Sequence, residues 1–243
     1  DPDAGGAVAA MRALTSDPAT DVLDPVMLTG ASILCDDDLA QRFIAELYSI
    51  RDREGWNFDV ETCFLPSIGA EQDGAPQPGD FVGEADSTMG VFEIRGRGVD
   101  WNTRTYVLMI TELFDRGVTR CLIGTRGLLG EGWDSLGVNV LVDLTTVSTY
   151  VSVNQMHGRS LRINPASPGK TANNWDIVTV LPEYERGFAD WERFVRKHEH
   201  LFGLSDDGEL ERGIGHVHPL LTHVEASELT ATLPLINEDM LEK

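Results

Sequence analysis

The apolar positions of the chain fall into two rhythms. Val26-Met27-Leu28 is a short unbroken apolar run closed by Thr29-Gly30, the pattern of a buried strand. Leu39, Phe43, Ile44, Leu47 and Ile50 recur at helical spacing and predict an amphipathic helix. The preceding Asp36-Asp37-Asp38 reads as its N-cap, with favourable charge at the positive end of the helix dipole. A magnesium site made from those carboxylates is the sharper alternative, although adjacent residues point in different directions. Phe58 to Leu65, Arg120 to Gly124, Val138 to Leu144 and Asp176 to Leu181 read as strands. Trp101 to Arg116, Ser148 to Leu161 and Glu183 to Leu201 read as helices, the first stopped by Gly117. This alternation predicts an α/β fold with a mostly parallel sheet flanked by helices on both sides.

Three stretches depart from the rhythm. Residues 1–20 are rich in Ala, Gly and Asp and read as a linker or short helix. Residues 66–90 gather Pro, Gly and Asp and read as a long loop, part of an insertion spanning 66–100. Residues 203–243 have weak periodicity and read as a C-terminal extension. The main domain is then 21–202, and a length of 243 residues suffices for one full core with an appendage.

Charge changes the picture in one respect. The net charge of -21 argues at first against a nucleic-acid partner, since phosphate binding normally uses a basic surface. Its distribution is uneven. Residues 1–94 hold 4 basic and 19 acidic groups, and residues 198–243 hold 2 and 10. Between them, 13 basic and 11 acidic groups leave a near-neutral, arginine-bearing centre able to hold a local anion site. No apolar run reaches the roughly 20 residues of a membrane span. Cys35, Cys63 and Cys121 are isolated and odd in number, which fits a reducing compartment. The expectation is a soluble, cytoplasmic protein without a membrane partner. A start at Asp1-Pro2-Asp3 reads as a piece of a longer polypeptide.

Two segments carry candidate chemistry. Gly124-Thr-Arg-Gly-Leu-Leu-Gly-Glu-Gly-Trp-Asp134 leaves a strand and turns through three glycines. Ligands of open parallel sheets bind at the carboxyl ends of strands, where such a turn lies. Gln155-Met-His-Gly-Arg159-Ser-Leu-Arg162 places an amide and two guanidinium groups at spacings of four and three, one face of a helix. Such a trio can clamp a triphosphate and spread transition-state charge. Taken singly, the first also fits an ordinary strand-to-helix loop and the second a solvated helix face.

In this order, Thr125 to Asp134 resembles motif V of superfamily-two helicases, and Gln155 to Arg162 resembles their motif VI. Gly-Glu-Gly-Trp-Asp and Gly-Arg-Ser-Leu-Arg look closest to the branch of restriction-enzyme translocases and repair helicases. The resemblance covers about residues 22–182, with the strand ending at Thr29-Gly30 in the place of motif IV. It implies a second RecA-like domain from an ATP-driven DNA or RNA motor. Arg159 and Arg162 would be arginine fingers, Gln155 would sense the nucleotide, and Gly132 and Asp134 would approach it. Thr29, Gly30, Thr125 and Arg126 would touch the backbone of the bound strand. ATP and Mg²⁺ would be shared with an N-terminal RecA-like domain of the same parent chain.

That partner is needed because no G-x-x-x-x-G-K-[ST] is present. Gly169-Lys170-Thr171 imitates its end, but Asn164 stands where the first glycine belongs, and Pro165 and Pro168 interrupt the loop. The fragment alone is therefore expected to be inactive. The rival reading is a degenerate RecA-like scaffold that no longer responds to nucleotide. His216 and His218, if on a strand, would share one face as a metal pair, and a metal-dependent nuclease appendage in 198–243 is a third reading. With no third ligand evident, no metal site is assigned. His157 reads as a packing or hydrogen-bonding residue, and Trp191 and Phe194 as core.

Overall fold

A computed structural model describes residues 6–30, 32–66, 90–129, 132–204, 208–224 and 226–242. The packing divides the chain into two compact units, Asp1–Gly137 and Val138–Lys243. The fold is mixed α/β.

In the first unit, α1 (Ala7–Thr15) and α2 (Pro18–Asp21) precede β1 (Pro25–Leu28) and β2 (Ile33–Asp36), and α3 (Ala40–Glu54) follows. The hairpin of β3 (Asp59–Pro66) and β4 (Gly90–Arg97) comes next, then α4 (Thr103–Asp115), β5 (Cys121–Gly124) and α5 (Arg126–Leu129). The five strands form one sheet in the order β3-β4-β2-β1-β5. Every residue of β1 is buried because both faces are covered. Val26 and Leu28 face the cluster that includes Phe43, Leu47, Ile50, Met109, Ile110 and Leu113 of α3 and α4. Met27 turns the other way and packs with Met11 of α1 and Leu34. Full burial of a side chain such as Phe43 contributes about 1.5–3 kcal/mol.

The sheet is not mostly parallel, contrary to the expectation from strand–helix alternation. Within it only β1 and β5 run parallel, and β1–β2, β2–β4 and β3–β4 are antiparallel. The cause is local. Thr29 N–H donates to the Ser32 carbonyl at 2.9 Å, closing a turn too short for anything but chain reversal. β4 also occupies 90–97, within the stretch read as insertion, with Val91 and Ile94 buried. The loop reading of 67–89 lies outside the described residues.

The acidic run caps nothing. Asp36 closes β2, Leu39 precedes the helix without a side-chain cap, and Asp37 Oδ2 instead accepts from Gly90 N–H at 3.2 Å.

In the second unit, β6 (Val140–Asp143) pairs in parallel with β7 (Asn173–Asp176), and α6 (Tyr150–Ser160) connects them. Then come α7 (Ala189–His198), the hairpin β8 (Phe202–Leu204) and β9 (Leu210–Arg212), two 3-10 turns and α8 (Ala226–Leu241). The strand read at 176–181 is thus displaced to 173–176, and the long helix read from Glu183 begins only at Ala189. Residues 181–187 form a turn in which Leu181 N–H donates to the Gly187 carbonyl at 3.0 Å. A Cβ at Gly187 would lie 1.6 Å from the Leu181 oxygen, so this closure requires glycine. Residues beyond 203 share a core with α7: Trp191 and Phe194 pack with Leu221, Leu229 and Ile236. Among the described residues no helix is long and apolar enough to cross a membrane.

Candidate functional site

In the first unit, parallel pairing sets Leu28 beside Gly124, with Thr125 N–H donating to the Leu28 carbonyl at 3.4 Å. Thr29-Gly30 and Thr125-Arg126 therefore leave the same carboxyl edge of two neighbouring strands. Gly30, Thr125 and Arg126 are exposed there, and a Cβ at Gly30 would meet nothing within 4 Å. Thr29 is committed otherwise. Its hydroxyl accepts from Ser32 N–H at 2.9 Å and so helps to close the hairpin. Thr29 thus positions Gly30 rather than presenting a free hydroxyl.

The turn after β5 is anchored by Trp133, whose indole N–H donates to Thr111 Oγ1 at 2.8 Å. Ser135 Oγ and the Gly137 N–H both bond Asp115 Oδ1. Gly132 has a φ of +83°, in the left-handed region that glycine enters at little cost, and Gly132 and Asp134 are exposed. Gly130 and Glu131 lie outside the described residues.

The remaining three motif residues belong to the second unit. Gln155 and Arg159 lie one turn apart on α6, and Gln155 is exposed. Arg162 is not on that helix. It follows the C-cap residue Leu161, and its N–H donates to the Arg159 carbonyl at 3.4 Å. Arg159 is only 7% exposed and its Nε donates to the Gln155 carbonyl at 3.3 Å. Burial lowers its pKa. The single helical face drawn from spacing is therefore broken, because α6 ends before the second arginine. Gly158, in the last turn of α6, has open space where a Cβ would go.

The spacing of residues gave no hint of a polar cluster beneath α7. Asp143 and Asp176 end β6 and β7 at the same register position. The ammonium of Lys197, itself 4% exposed, bonds Asp143 Oδ2 and Asp176 Oδ1. His198 Nε2 lies 2.9 Å from Asp176 Oδ2, while its buried Nδ1 has no partner among the described residues. Burial pushes the pKa of Asp176 up, but hydrogen bonds from His198 and Lys197 outweigh it and the net shift is downward. Burial, then the charge of Lys197, lowers the pKa of His157.

Asp143, His157 and Asp176 bring one ligand atom each within 4.8 Å of one another, a donor set a divalent cation could use. Lys197 already bridges both carboxylates, so the charge a metal would supply is present as an ammonium. The histidine pair read on a strand is not one. His216 lies in a 3-10 turn with Nδ1 against the Gly213 carbonyl, and His218 Nε2 is 3.3 Å from Asp239.

Asp36 is a second buried acid, 1% exposed, with Oδ1 lacking a partner among the described residues. Burial, then the charges of Asp21, Asp37 and Asp38, pushes its pKa up to about 8. The folded state therefore holds a proton that the unfolded chain releases near pH 4. Asp36 should lower stability as pH rises from about 4 to about 8, by up to about 1.4 kcal/mol per pH unit. Denaturant titrations of Asp36→Asn across that window should give a flatter profile than the wild type. Parallel profiles would assign the proton elsewhere.

Comparison with family models, with curated proteins and with solved structures finds no match to this chain.

Proposed function

We propose that this chain is the second motor half of a nucleic-acid-dependent ATPase of the superfamily-two type; β1–β5 and β6–β7, in separate sheets of the two units, are its parallel strand pairs. In this reading a P-loop-bearing domain holds ATP and Mg²⁺, and this chain supplies Arg162 and Arg159 to the γ-phosphate. Gln155, one turn before Arg159 on α6, approaches the nucleotide. Gly30 and Thr125-Arg126 contact the phosphate backbone of a DNA or RNA strand, and domain closure and reopening steps the protein along it.

The observation that carries the reading is the shared carboxyl edge of β1 and β5. It brings two segments almost a hundred residues apart in sequence to one exposed rim. That is the place ligands take in parallel α/β pairs. Gly158 adds support. It is exposed in the last turn of α6, and nothing in the described chain lies within 4 Å of where a Cβ would stand, so the helix offers open backbone to a nucleotide there.

The test is Gly158→Ala. Chemical denaturation should find the variant more stable by about 0.5–1 kcal/mol, while ATP turnover in the presence of the P-loop domain falls at least tenfold. A variant that is more stable and fully active would remove the argument for an approaching nucleotide.

The scaffold reading draws on one observation, the burial of Arg159 against its own helix. On that reading both arginines are structural and nucleotide binds nowhere near them.

A further inference from the structure

Beside the β1–β2 turn the first unit has a cleft of about 350 Å³. Gly30 and Ser32 form part of its lining, and β4 contributes Glu93, Arg95 and Gly96. The start of α4 contributes Trp101, Asn102 and Tyr106. We propose that this cleft receives one unstacked nucleobase of the strand whose backbone crosses Gly30, with Trp101 as its aromatic wall and the Glu93–Arg95 pair as its polar edge. The proposal rests on the strand-binding reading and deepens it.

Size is the first argument. Pockets for small ligands run from roughly 300 to 1,000 Å³, so this one suits a single base or nucleoside rather than a triphosphate. Electrostatics is the second. Arg95 Nη2 lies 2.6 Å from Glu93 Oε2, and Glu93 is mostly buried while Arg95 is exposed. The pair is neutral overall, so it offers no net attraction to a phosphate. It offers instead an acceptor next to donors, and every nucleobase edge carries both. A pocket satisfied by any base suits a protein that follows a strand without reading its sequence.

The aromatic wall is fixed in advance. Trp101 packs against Phe58 with ring centroids 5.1 Å apart and against Tyr106 at 5.7 Å. It also lies so close over β4 that a Cβ at Gly96 would fall 1.9 Å from the indole. A prearranged ring loses little entropy when a base stacks on it, and base–aromatic stacking tolerates any sequence. Gly30 lines the same cleft, so this wall lies near the edge assigned to the backbone.

Equilibrium binding of a twelve-nucleotide single strand and its abasic counterpart to the 243-residue chain at low ionic strength tests the assignment. The base-bearing strand should bind about tenfold more tightly. Arg95→Ala and Glu93→Gln should each bring its affinity down towards that of the abasic strand. Both side chains lie outside the hydrophobic core, so folding should survive, which Trp101→Ala would not guarantee. Equal affinity of the wild type for both strands overturns the pocket and leaves the backbone contacts standing. No binding of either strand overturns both.

Discussion

Lys197→Met should cost about 3–5 kcal/mol of stability at neutral pH. The substitution keeps much of the aliphatic volume and removes only the charge. Two carboxylates, 2% and 14% exposed, then lose the ammonium between them, with His198 against Asp176 as the remaining side-chain partner. Breaking a buried ion pair by deleting one partner typically costs that much, because the remaining charge has neither water nor counter-charge. Since whole domains are stable by only about 5–15 kcal/mol, the loss should appear as early melting of the second unit. A pH series separates charge from packing. Acid neutralises buried, unpaired carboxylates and so removes the repulsion that the missing ammonium would have offset. The deficit should therefore shrink as pH falls from 8 to 5. A deficit that is constant over that range would mean that Lys197 acts through its methylene stem alone.

Arg162→Ala should lower nucleic-acid-stimulated ATP turnover about a thousandfold, in a protein that includes the P-loop domain, without lowering its melting temperature. The magnitude is that of an arginine finger, which acts on transition-state charge and so appears in kcat. The two arginines should not behave alike. Arg162 is partly exposed just beyond α6, whereas Arg159 is buried and bonded to its own helix. Arg159→Ala is therefore expected to cost stability as well as turnover. If Arg162→Ala loses turnover only as far as it loses folded protein, the finger role fails.

What the sequence made legible followed from periodicity. The apolar stripe at Phe43, Leu47 and Ile50 became α3, and the helix read over Trp101 to Arg116 became α4, both packed on one face of the sheet. Strand direction was not legible. Ile33-Leu34-Cys35 runs straight into the acidic residues that were read as a helix cap, so β2 went unseen, and with it the hairpin that reverses β1. β4 lay hidden beside a stretch of Pro and Gly. In the first unit, Thr29-Gly30 and Thr125-Arg126 meet at one edge because β1 and β5 pair in parallel, a pairing that no local pattern records. The Asp143–Lys197–Asp176 cluster was not readable. It depends on the register of two strands and on which face α7 buries, neither of which any local pattern records.

The most direct test of the central claim is the ATP turnover of the P-loop domain with this chain present or absent, measured with and without single-stranded and duplex nucleic acid. The chain alone should turn over nothing, the combination should hydrolyse ATP, and nucleic acid should raise the rate severalfold or more. Turnover that is indifferent to the presence of this chain would contradict the claim.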